Sequence, residues 1–207
     1  MRTLVIDTAT AACSVALIAD GVVVAALHEV VGRGHAERLV PMIAELPDGG
    51  KADAVLVDCG PGSFTGLRVG LAAAIGLGIG WGVPVSGYAS TSLIAAAAFA
   101  DHPDVPALAV VIEGGHGEVF MQRFDPALAA APLASLKPDA ALVALGGEFA
   151  VGSGLGRLAA FDPAIAGVDA LPVAARATLL PPHLTALPPR PIYGRAPDAK
   201  PAAVKPA

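Results

Sequence analysis

The chain has 207 residues, 55% of them hydrophobic and only 4% aromatic, with a formal net charge of -5. That length holds one large domain or two small ones, with a core built from Ala, Val, Leu and Gly rather than from rings. The acidic balance and the lack of any Lys/Arg cluster exclude an unaided grip on a nucleic-acid backbone, which rests on neutralising phosphates.

Thr3 to Asp7 reads as a short buried strand, Cys13 to Ala19 as a second and Val22 to His28 as a third, with Asp20-Gly21 as the hairpin turn between the last two. Gly34 to Leu46 predicts a helix: Leu39, Met42, Ile43 and Leu46 form one apolar stripe, while Glu37, Arg38 and Glu45 lie mostly off it. Pro41 falls inside that pattern and predicts a kink or a tight first turn. After the breaker Pro47-Asp48-Gly49-Gly50 come a strand over Ala54 to Cys59, a helix from Phe64 to Trp81, a short strand at Pro84 to Ser86 and a helix over Thr91 to Ala100. Three antiparallel strands followed by alternating helix and strand predict an α/β unit with a mixed sheet.

His102-Pro103-Asp104 reads as a linker. Beyond it, Ala107 to Ile112 and Glu118 to Phe124 are predicted strands flanking a turn, Ala141 to Leu145 a further strand, and Gly152 to Gly156 a turn. The expected organisation is a first lobe at 1–102, a smaller α/β lobe at 103–190 and a Pro/Ala/Lys-rich tail at 191–207, extended over Ala196 to Ala207.

The richest local signal is Gly60-Pro61-Gly62-Ser63-Phe64-Thr65-Gly66, a strand-to-helix turn. It lacks the Lys of a phosphate-cradling P-loop, and Pro61 removes a backbone donor. Ser63 is placed to cap the helix, and Ser63 and Thr65 are candidate nucleotide contacts. Asp7-Thr8-Ala9-Thr10, after the first strand, has two readings. It is where some nucleotide-binding folds hold a phosphate tail and its metal, making Asp7 and Thr8 candidates, or Asp7 caps its own turn. Ala9 stands where a phosphate turn favours glycine.

A metal on the first helix needs a second ligand one turn from His35, and that position is Leu39, so no metal site is expected. Glu113, Glu118 and Asp125 fit a solvated hairpin face. Cys13 and Cys59 fit buried small hydrophobes in a reducing compartment. Leu4 to Ile6 is too short for a signal peptide, and Val69 to Val85 is interrupted by glycines, so the expected location is the cytoplasm, with no membrane partner. The helix over Leu67 to Gly82 is apolar almost all round and rich in glycine, at a cost of about 1 kcal/mol per Gly relative to Ala, so it requires close packing on several sides. The expected use is an interface: His35, Leu39, Met42 and Leu46 on the first helix, with Leu67, Gly70, Leu71 and Ala74 on the second, covered by another polypeptide.

Three blocks together, Ile6 to Thr10, Gly32 to Leu39 and Gly60 to Arg68, resemble the bacterial TsaB (YeaZ) family, most specifically in the third. Glu118-Val119-Phe120 and Pro191 to Arg195 resemble its later landmarks. The resemblance implies an actin-like, two-lobed fold of the ASKHA, ribonuclease H-like kind. It implies a non-catalytic dimerisation subunit of the complex that makes N6-threonylcarbamoyladenosine at position 37 of tRNAs reading codons that begin with A. The partners would be a TsaD-like transferase and a TsaE-like ATPase, with tRNA met only indirectly; the same apolar face could pair with its own copy when the transferase is absent. No cofactor of its own is implied, and ATP only in the complex. The TsaD-like metal helix carries His-x-x-x-His, and the matching pair is His35 and Leu39. The alternatives are a stand-alone actin-like ATPase working through Asp7, Thr8, Ser63 and Thr65, or a degenerate metalloprotease relative.

Overall fold

The structure, a computed structural model, describes residues 1–195; the tail expected over Ala196 to Ala207 lies outside the described residues. The first lobe holds β1 (Arg2–Asp7), β2 (Ala12–Ala19), β3 (Val22–Val30), α1 (His35–Glu45), β4 (Ala54–Asp58), α2 (Phe64–Trp81), β5 (Val85–Tyr88) and α3 (Ser90–Asp101). Its strands run in the order β3-β2-β1-β4-β5. The β1–β2 and β2–β3 pairs are antiparallel, while β4 lies parallel to both β1 and β5, so the sheet is mixed as the element order predicts.

Strand alternation sends the sheet's apolar side chains to both faces. On one face Leu4, Ile6, Val15 and Leu17 meet Leu39, Met42 and Ile43 of α1 and Leu71 and Ala74 of α2. On the other, Val5, Ala16, Leu56 and Tyr88 meet Leu93 and Ala96 of α3 and Ala174, Ala177 and Leu180.

The second lobe holds β6 (Leu108–Glu113), β7 (Val119–Phe124), β8 (Ala134–Leu136), α4 (Pro138–Leu145), β9 (Phe149–Val151), α5 (Leu155–Ala159) and β10 (Gly167–Val168). Its sheet order is β10-β9-β6-β7-β8. The helices α4 and α5 cover one face, and α3 covers the other, where Ile94, Ala95 and Ala98 pack on Leu108, Val110 and Phe120. Thus α3 lies between the two sheets, which explains why an Ala-rich helix with no polar face is buried almost throughout.

Two expectations are corrected. Ala141 to Leu145 is helical, within α4. A five-residue apolar run does not distinguish strand from helix; the brackets do, with Pro138 in the first turn and Gly146 closing the helix at φ 62°. The second lobe also ends near Val168: a 3-10 segment, Ala174–Leu179, packs back on the first lobe's sheet, so the lobe boundary at 190 is too late.

Candidate functional site

The apolar stripe of α1 faces the chain's own sheet. His35, Leu39, Met42 and Leu46 are all buried, and Leu67, Gly70, Leu71 and Ala74 of α2 are buried with them. This overturns the expectation that these eight residues meet a partner. An apolar stripe of helical period shows that one face is covered, and here its own strands are the cover. The imidazole of His35 is anchored internally, its Nε2 donating to the carbonyl of Ala12 at 3.1 Å. Leu39, one turn on, is 1% exposed. Among the described residues, no group of three His, Cys, Asp or Glu side chains stands together as a metal site would require.

The turn after β1 is pressed directly against the start of α2. Ser63 N–H donates to the carbonyl of Ala9 at 2.6 Å, and the Thr8 hydroxyl donates to the carbonyl of Gly66 at 2.8 Å. A side chain at Gly62 would strike the Ala9 carbonyl, one at Gly66 the Thr8 carbonyl, and one at Gly70 the Thr8 hydroxyl. The glycines are there because two segments of backbone touch. Ser63 caps α2, its Oγ accepting from Gly66 N–H at 3.3 Å. The two segments leave no room between them, and the open space lies on the cleft side of the turn. Of the four candidate nucleotide contacts, Asp7 and Thr8 are sealed, at 0% and 2% exposed, and only Ser63 and Thr65 reach solvent.

Beneath this turn lies a buried polar network. Asp7 ends β1 and Asp58 ends the neighbouring parallel β4. Asp7 accepts from the Tyr88 hydroxyl at 2.7 Å, and Asp58 accepts from the Ser90 hydroxyl at 2.7 Å and from Gly60 N–H at 2.7 Å. Burial pushes both carboxyls above the usual carboxylate range, and the charge of Asp7 raises Asp58 further. Both carboxyls therefore hold a proton more readily than a solvated aspartate does. Neither carboxyl is open to a metal or a substrate.

The uncovered surface of α2 is its other side. Phe64 is 55% exposed, Ile75 41% and Ile79 79%, with Arg68, Ala72 and Gly76 between them. Beside it α1 exposes Ala36, Val40 and Ala44. Arg68 lies over the Phe64 ring at 3.6 Å, and Tyr193 stacks on the same ring at 6.0 Å. By length and composition α2 could cross a membrane, but here one side of it lies on the first lobe's sheet, and only 33% of the helix is buried inside the chain. Sequence reasoning missed this face because α2 is apolar all round; the small residues Gly66, Gly70, Ala74 and Gly78, four apart, mark its buried side, and Ile75 and Ile79 its exposed one.

A cleft of about 1100 Å³ separates the lobes. Ser63, Thr65 and Arg68 form one wall, Glu113 and Glu118 the opposite one, and Tyr193 and Arg195 close an end. Both glutamates are committed to pairs, Glu113 with Arg157 at 2.7 Å and Glu118 with Ser135 at 2.7 Å, with Arg195 and Lys137 nearby.

Residues 24–136 match the family described as TsaD: tRNA N6-adenosine threonylcarbamoyltransferase. An uncharacterised protein of Mycobacterium tuberculosis is 36% identical over 97% of this chain and 95% of its own length. The tRNA threonylcarbamoyladenosine biosynthesis protein TsaB of Escherichia coli is 39% identical over 60% of this chain and 55% of its own length. Among solved structures, YeaZ from Pseudomonas aeruginosa superposes with a TM-score of 0.73 at 29% identity, covering 86% of this chain and 89% of that one. The expected actin-like, two-lobed fold with mixed sheets is the fold of this chain.

Proposed function

The chain belongs to the TsaB (YeaZ) family, and from that premise we propose that it is a non-catalytic partner subunit of a TsaD-like transferase that installs N6-threonylcarbamoyladenosine on tRNA. The observation that carries this reading is α2, an 18-residue apolar helix of which the chain itself buries only 33%. A contiguous exposed apolar face on a folded domain marks an interface. Phe64, Arg68 and Tyr193 beside it are the residue types that dominate binding energy in interfaces.

Absence of chemistry of its own is supported by the packed turn: Asp7 is sealed, Thr8 is spent on Gly66, and Leu39 stands where a second ligand beside His35 would. The contribution would then be to the partner's conformational balance, holding the transferase lobes in their active arrangement. ATP would enter only through the complex, with a TsaE-like ATPase as third component and tRNA met through the transferase, in the cytoplasm and for tRNAs reading codons that begin with A. Alone, the same face would pair with its copy.

The test is co-expression of the tagged chain with a TsaD-like subunit, followed by a tRNA threonylcarbamoylation assay on the isolated chain and on the complex. The expected result is activity in the complex alone. Turnover of threonylcarbamoyl-adenylate by the isolated chain would overturn the reading.

A further inference from the structure

The chain crosses between the lobes three times among the described residues. The first two crossings, at His102 to Ala107 and at Asp169 to Val173, meet beside α3, where Val105 and Ala170 join one apolar cluster. Arg176, just past the second, binds the carboxylate of Asp101 at the end of α3. Two adjacent crossings make a hinge. The third crossing is elsewhere, at the open cleft, where residues 192–195 line one end.

We propose that residues 187–195 are a strap that latches the lobes together across the cleft and sets how far it opens. Its first half is fixed to the first lobe. Leu187 and Gly87, on the edge strand β5, exchange backbone hydrogen bonds at 2.7 and 3.0 Å, and Ile192 N–H donates to the Cys59 carbonyl at 2.6 Å. The Ile192 side chain joins the core beneath α1 and α2. Its end is fixed to the second lobe. Arg195 donates to Nδ1 of His116 at 2.8 Å and stands 3.5 Å from the Glu118 carboxylate. Gly194 lies so close to the Phe120 ring that any side chain there would run into it. The strap thus joins the lobes on the cleft side, apart from the two crossings beside α3, so its contacts bear on the angle between them. Tyr193, between the two anchors, rests on Phe64 at the first turn of α2.

The experiment is a spin-label distance measurement on the full-length chain, with labels on cysteines introduced at Glu37 in the first lobe and Ala140 in the second; both positions are exposed, and the native Cys13 and Cys59 are buried. The native strap should give one narrow distance distribution. Arg195→Ala, which removes only a partly exposed charge, and Gly194→Ala, which forces the strap off Phe120, should both broaden it and move it to longer distance. Adding Phe120→Ala to Gly194→Ala makes room for the methyl group and should restore the native distribution, which a misfolded variant would not do. If Arg195→Ala and Gly194→Ala both retain the native distribution, or if the Phe120→Ala addition restores nothing, the strap does not set the angle.

Discussion

Asp7 and Asp58 stand side by side at the ends of two parallel strands, 0% and 1% exposed, and both carboxyls are held above the usual carboxylate range. Burial disfavours the charged form of each, and the charge of Asp7 adds to this at Asp58. Tyr88 and Ser90 complete the network, and among the described residues no buried side-chain polar atom lacks a partner.

The pair makes stability depend on pH with a known sign. Both carboxyls are raised in the folded chain above their ordinary value of 3.8. Below that value both states are protonated and the stability they contribute is complete; as pH rises from there the unfolded chain releases protons the folded chain retains, and stability falls until the folded pair ionises. Asp58→Asn keeps a donor toward Asp7 and an acceptor for Gly60 but no longer titrates. Thermal melts from acid to mildly alkaline pH should therefore show a flatter profile for Asp58→Asn, and a higher Tm than the native chain at the alkaline end. Parallel profiles would contradict a raised Asp58 carboxyl in the folded chain.

The uncovered helix face separates binding from folding. Ile79 is 79% exposed, so Ile79→Asp should shift stability by no more than about 0.5 kcal/mol. It should nevertheless abolish capture of the TsaD-like subunit, checked by a melt and a pull-down on the same preparation. A matched change at Leu39, 1% exposed, should do the reverse: Leu39→Ala costs about 2–5 kcal/mol of stability without touching any surface a partner could reach.

Gly70 is a packing position, not a docking one. A methyl group there would strike the Thr8 hydroxyl. Gly70→Ala should cost about 1–3 kcal/mol, and combining it with Thr8→Ala should recover part of that loss. A double-mutant cycle by denaturant unfolding reads the coupling.

Restoring the second histidine should not restore a metal site. Leu39→His places an imidazole among Met42, Ile43 and Leu17, while His35 is tied to Ala12. A loss of about 1–3 kcal/mol is expected, with no gain in Tm on adding zinc. A zinc-dependent rise of the Tm would show that the helix can still chelate.

Most of the first lobe was legible because its signals are local. Asp20-Gly21 announced the hairpin, Pro47 to Gly50 the end of α1, and Ser63 the start of α2. The stripe on α1 was read correctly as a face, but periodicity reports only that a face is covered and not by whom; the cover came from β1 and β2 of the same chain. Asp7 and Asp58 lie fifty-one positions apart and meet only because β1 and β4 are neighbours, so no spacing rule could pair them. The return of Ala174 to Leu180 to the first lobe was hidden for the same reason, since an Ala/Pro-rich stretch carries no mark of the sheet it will lie on.

The contact between the first turn and α2 has a consequence for how this chain could change over time. An enzyme that loses one ligand can regain it by one substitution. Here Ala9, Thr8, Ser63, Gly62 and Gly66 have closed upon one another, and each holds the others in place. A side chain introduced at Gly62 or Gly66 meets a backbone carbonyl rather than free space, so this turn can change only where several positions move together.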